Sequence, residues 1–255
     1  MKRTQLPFLA MLLAVAITTY MDFNGYFDFS ALPLFALTIV FWLIGRQTRS
    51  ELGLKWGSLK HYGEALLHPL LALTACAVFA CFQPGFLEGS VDWPKMSRNI
   101  VIYIAAGWLM TLITEEGFFR GWLWAAVDGG KGNQKTTLIT TSIFFVIWHI
   151  SAVTSGTDYG LPFWQIPIYL VNVMLLGLIW GLMRWRSGSI LVPTLAHAVW
   201  NPLAYELFGT GTQPGALGAE NTWIYGPEVG WLGILFNGLF CWWLWRRQRR
   251  SENQA

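Results

Sequence analysis

Apolar residues gather in eight runs, at about 6–21, 31–46, 64–82, 100–127, 137–154, 163–185, 189–207 and 229–245, with polar or glycine-bearing linkers between them. A helix crosses a bilayer with about 20 mainly apolar residues, and runs of this length predict helices. Some are short for a span, so the linkers supply a second test. Basic residues occupy every other linker: Lys2 and Arg3; Arg46, Arg49, Lys55 and Lys60; Lys131 and Lys135; Arg184 and Arg186; then Arg246, Arg247, Arg249 and Arg250. Of the 17 lysines and arginines, only Lys95 and Arg98 fall on the other side, and Arg120 lies within a run. The loops at 22–30 and 208–228 carry Asp22, Asp28, Glu220 and Glu228 and no Lys or Arg. Positive residues concentrate in cytoplasmic loops. The pattern therefore predicts about eight spans with both termini in the cytoplasm, and omitting any one run would scramble the alternation.

Composition narrows the class. The chain of 255 residues is 54% hydrophobic and 12% charged, with a mean hydropathy of +0.43, where a soluble domain would carry about 25% charge. This predicts an all-α polytopic transmembrane helix bundle whose surroundings are the lipid bilayer, with no nucleic-acid partner. Several tryptophans (Trp42, Trp93, Trp185, Trp231, Trp245) sit near predicted helix ends, where aromatic belts form. Cys76, Cys81 and Cys241 lie in apolar runs with no CxxC spacing, so they read as packing residues. Met1-Lys2-Arg3 and the apolar run after it resemble a signal peptide, but no small-x-small cleavage site follows, so the run reads as the first span. Compact loops and the lack of an organelle-targeting segment point to a bacterial plasma membrane.

Three regions follow: 1–97, N-terminal helices with a basic, interfacial linker at 51–63; 98–208, a core of helices; and 209–255, a Gly-rich external loop, the last span and a basic tail. The 208–228 stretch, rich in Gly, Thr and Pro, reads as a flexible loop, with a lid as the alternative.

Against this apolar background the stretch Thr114-Glu115-Glu116-Gly117-Phe118-Phe119-Arg120 stands out. Ionisable groups at membrane depth cost several kcal/mol, so three in seven residues need a reason. On a helix, Glu116 and Arg120 share a face and can pair, while Glu115 points about 100° away. The expectation is a structural Glu116–Arg120 pair and a reactive Glu115. Two other runs carry His149, with Phe145 one turn before it, and His197 with Asn201 one turn after it. Counted at 1.5 Å per residue from the basic ends of their runs, Glu115, His149 and Asn201 lie about 18 Å deep and His197 about 12 Å. Four polar side chains from three spans thus reach nearly one level. His68, without such company, reads as interfacial.

A carboxylate beside two imidazoles and an amide suits hydrolysis: the carboxylate takes a proton from water, and His and Asn donate to an oxyanion. There is no GxSxG and no HExxH. Glu115, His149 and His197 are also the donor types of a catalytic site for a divalent metal such as zinc. At this level a Glu-activated and a metal-bound water both remain open.

Glu115-Glu116-x-x-x-Arg120, Phe145-x-x-x-His149 and His197-x-x-x-Asn201 together resemble the three motifs of the CPBP (CAAX protease and bacteriocin-processing, or Abi) family, in order and over about residues 98–208. The resemblance implies an all-helical intramembrane endopeptidase in which Glu115 and His149 activate water, His197 and Asn201 bind the oxyanion, and Glu116 and Arg120 brace the first glutamate. The convergence of the four polar residues makes the leading reading an endopeptidase that cuts a peptide or membrane-protein substrate near its cytoplasmic half. Nothing in the sequence marks a prenylated substrate. A proton-coupled transporter, since membrane Glu and His also relay protons, and a non-catalytic immunity or binding protein on the same fold are the alternative readings.

Overall fold

The computed structural model describes residues 5–130, 132–156, 159–210 and 213–253. Lys2, Arg3 and Lys131, which figured in the charge pattern, lie outside the described residues. The eight apolar runs become eight long helical stretches: α1 (Leu6–Phe23), α2 (Leu32–Gly45), α3 (Leu59–Ala80), α4 (Trp93–Ile113) continuing into α5 (Trp124–Asp128), α6 (Gln134–Thr154), α7 (Ile166–Ser187), α8 (Leu191–Phe208) and, after the short α9 (Thr222–Tyr225), α10 (Trp231–Glu252). The only sheet among the described residues is a two-residue antiparallel pair, β1 (Gly209–Thr210) and β2 (Gln213–Pro214).

Among the described residues, six stretches are long and apolar enough to cross a membrane. The other two long helices fall short for visible reasons. α8 holds His197, Asn201, Glu206 and two prolines in 18 residues, and the last turns of α10 are arginine-rich. The bundle's outer faces carry exposed Leu12, Leu43, Leu71, Ile102 and Leu239, as lipid contact requires.

α7 is the central helix. It packs on α6, α10 and α8, while α8 also packs on α3 and α4. Asn172 of α7 and Asn237 of α10 tie the two together: Asn237 Nδ2 donates to Asn172 Oδ1 (3.2 Å) and Asn172 Nδ2 to the Gly230 carbonyl (3.1 Å). His68 joins this network. It is fully buried, 3.1 Å from Asn237 Oδ1 and stacked on Trp200 with ring centroids 4.8 Å apart. The interfacial expectation is thus corrected; interhelical hydrogen bonds and ring packing make its burial tolerable.

The run 100–127 is not one α-helix. α4 ends at Ile113, with Thr114 as its C-cap, and Glu116–Leu123 is π-helical before α5 resumes. Two features permit the bulge. Gly117 brings its backbone so close to Leu112 that a Cβ there would lie 2.6 Å from the Leu112 carbonyl oxygen. Arg184 of α7 donates from Nε to the Arg120 carbonyl (3.0 Å) and from Nη2 to the Glu51 carbonyl (2.8 Å), pinning the segment to α7 and to the first basic linker. π-bulges recur at functional sites, and this one holds Glu116, with Glu115 as the residue that caps its start.

Candidate active site

The π segment, α6, α7 and α8 bring the sequence-identified residues together. His149 Nε2 lies 3.9 Å and His197 Nε2 4.0 Å from Glu115 Oε2. Each imidazole is oriented from behind. The Nδ1–H of His149 donates to the Phe145 carbonyl one turn back (2.8 Å), and Nδ1 of His197 sits 3.0 Å from Glu116 Oε1. Both Nε2 atoms are thereby turned to Glu115. Asn201 lines the same small chamber, of about 50 Å³, with Tyr169, Tyr205 and Glu228, which is room enough for water.

Behind the chamber is a rigid aromatic and ionic backing. Arg120 Nη1 donates to Glu116 Oε1 at 3.1 Å, with both side chains buried. The guanidinium lies 4.2 Å from the centre of the Phe145 ring, so Phe145 supports Arg120 on one side and meets His149 edge-on on the other (4.3 Å). Trp180 of α7 stacks on His197 at 3.8 Å and 17°. No motif announced Trp180; a tryptophan inside an apolar run looks like any packing residue.

Glu228 was also missed as a site residue. Sequence reading placed it in an external loop, yet it is buried and folds back against α8. It accepts from Trp200 Nε1 and from the Tyr159 hydroxyl, each at 2.5 Å. Burial pushes its carboxyl above the usual range, and the donors from Tyr159 and Trp200 offset part of that. The expectation of a flexible 208–228 loop is corrected with it. Leu217, Ala219, Glu228 and Val229 are buried, Leu217 N donates to the Leu207 carbonyl, and Leu87 N to the Leu217 carbonyl.

A second, wider cavity of about 400 Å³ shares Glu115, His149, Tyr169 and Tyr205 with the chamber. Its remaining wall comes from the end of α1, the Phe27–Ala31 connection, Tyr159 and the β1–β2 pair. Leu6, Arg46 and Gly129–Gly130 meet at the opposite end of the bundle. The cavity thus lies toward the end away from most of the basic residues.

A zinc ion would set a spacing on the donors. Ligands at about 2.0–2.2 Å from a tetrahedral zinc stand roughly 3.4 Å from one another, closer than the 3.9 and 4.0 Å found here. Among the described residues no three His, Cys, Asp or Glu side chains are gathered to hold an ion. The donor types fit a metal and their spacing does not, so no step is routed through one.

Residues 97–203 match the family described as type II CAAX prenyl endopeptidase Rce1-like. Over this segment, less than half of its length, the chain resembles the CAAX protease family. The matched segment contains all three motifs, from Glu115 to Asn201, and neither the α1 wall of the cavity nor Glu228. No curated protein and no solved structure matches the chain. The match supports a protease acting on a peptide or protein substrate in a membrane setting.

Proposed function

We propose that this protein is an intramembrane endopeptidase in which a water held between Glu115 and His149 attacks the scissile carbonyl. The observation that carries this reading is the 3.9 Å gap between Glu115 Oε2 and His149 Nε2. With its Nδ1–H committed to Phe145, neutral His149 offers a lone pair at Nε2. A water donating one hydrogen to each acceptor at about 2.7–2.8 Å spans a gap of roughly 4 Å, leaving its oxygen lone pairs free for the carbonyl carbon. Glu115 takes the proton as the water adds and returns it to the departing amine, so that the C–N bond breaks with no net proton change.

The tetrahedral oxyanion falls to Asn201 and His197. Asn201 donates from its amide. His197, its Nδ1 held on Glu116 Oε1, presents Nε2 to the oxyanion. Arg120 and Trp180 fix that imidazole and touch no reacting atom, so Glu116, Arg120, Phe145 and Trp180 are positioning residues. The bundle, the membrane span pattern and the family match support this reading together.

The test compares membrane proteomes of cells expressing the wild type or Glu115→Ala at equal levels. One or a few precursors should accumulate uncut in the variant, and the new terminus in the wild type gives the cleavage site. Cleavage of the same precursors by folded Glu115→Ala protein would overturn the reading.

A further inference from the structure

Asp22, at the end of α1, is buried at 3% exposure and lines the 400 Å³ cavity that adjoins the candidate active site. Neither of its carboxylate oxygens has a hydrogen-bond partner. An uncompensated buried carboxylate is among the costliest groups a fold can hold, and nothing in the packing of α1 requires one. The turn before it shows what satisfied polar groups look like here: Thr18 Oγ1 donates to the Ser30 carbonyl (3.1 Å) and accepts from Trp148 Nε1 (2.8 Å). Asp22 stands outside this small network.

The cavity's charge is one-sided. Asp28 lines it near Asp22, Glu115 lies on the wall it shares with the chamber, and no described lysine or arginine lines it. Arg120, the buried cation behind the chamber, is already held by Glu116. The remaining wall is rich in aromatic rings, among them Phe27, Trp148 and Tyr159, which accept a cation over their faces. A long side chain with an apolar stem and a cationic tip suits both features.

We propose that this cavity binds a lysine or arginine side chain of the substrate, with Asp22 as its counter-charge, so that the protein cuts peptides bearing a basic residue close to the scissile bond. The cation supplies the missing partner of Asp22, and its backbone is thereby placed beside Glu115 and His149. The proposal rests on the peptidase reading for its consequence, while the cation site itself does not.

The experiment uses the full-length protein in detergent micelles and has two arms. In the first, quenched fluorescent peptides identical except for one Lys, Arg, norleucine or Glu are scanned for cleavage by wild type, Asp22→Asn, Asp22→Lys and Glu115→Ala. The wild type should favour Lys and Arg over norleucine by about tenfold or more in kcat/KM. Asp22→Asn should bring that ratio close to one, and Asp22→Lys should favour the Glu peptide. In the second arm, binding of dansylcadaverine, a primary amine on an alkyl chain, is compared with that of its uncharged N-acetyl derivative. Wild type should prefer the amine and Asp22→Asn should not; the wild-type comparison stands even if the variant fails to fold. A lysine preference that survives Asp22→Asn, or equal wild-type binding of amine and acetylated probe, overturns the proposal. If no peptide is cut by any form yet the amine binds through Asp22, the peptidase reading fails and the cation site stands.

Discussion

His197 Nδ1 and Arg120 Nη1 both reach the same oxygen of Glu116, at 3.0 and 3.1 Å. One buried carboxylate therefore neutralises the arginine of the first motif and aims the histidine of the third. Removing one partner of a buried pair leaves an uncompensated charge, at about 3–5 kcal/mol. Glu116→Ala should lower thermal stability markedly and reduce kcat by more than tenfold, because His197 loses its orientation. Adding Arg120→Met should restore much of the stability and little of the activity. The measurement is a thermal-unfolding and kinetic double-mutant cycle on the two positions; additive losses of stability would contradict the shared role of Glu116.

The sequence made the pairing of Glu116 with Arg120 and the common depth of Glu115, His149 and His197 legible, because helical spacing and rise per residue are properties of the backbone. It could not reveal the π segment, since no pattern of apolar residues distinguishes one extra residue per turn from an α-helix. Nor could it place Glu228 or Asp22. Both sit in or beside loops by pattern, and only the packing of those loops against α8 and α6 buries them. The shared signal that was available is charge: the stretches 22–30 and 208–228 hold carboxylates and no Lys or Arg, a surplus that helped only to orient the helices.

The π segment depends on a missing side chain. A Cβ at Gly117 would lie 2.6 Å from the backbone oxygen of Leu112, and a backbone atom cannot swing aside as a side chain can. Overpacking of this kind costs typically 1–3 kcal/mol. Gly117→Ala should therefore destabilise the protein by about that amount and displace the adjacent glutamates, with a fall in kcat larger than any change in KM. Gly107, whose added Cβ would meet nothing within 4 Å, supplies the control: Gly107→Ala should leave both stability and kcat close to wild type. Equal effects at the two glycines would show that the bulge does not set the site.

The spacing of the donors makes a prediction about metal. With both imidazole nitrogens about one hydrogen-bonded water away from Glu115 Oε2 rather than within a closed ligand shell, cleavage should persist after dialysis against a strong chelator. Adding zinc should not raise kcat. Loss of activity on chelation, restored by stoichiometric zinc, would show that the side chains close around an ion in the working enzyme.

Glu228 makes the protein's stability depend on pH in a calculable direction. Burial raises its carboxyl above the usual carboxylate range in the folded state, so the fold holds its proton more tightly than the unfolded chain does. The stabilisation from that proton is complete below the unfolded carboxyl's pKa. It is lost as pH rises from there through the folded value. Glu228→Gln keeps the shape, removes the titration, and can accept from Trp200 at Oε1 while its Nε2 donates to the Tyr159 hydroxyl oxygen. Its Tm should match or fall below that of wild type in acid and gain on it as pH rises to neutrality and beyond. The check is the difference in Tm between the two proteins across that range. A difference that stays constant with pH would mean that Glu228 does not titrate differently in the fold, and a wild-type advantage that grows with pH would reverse the sign of the shift.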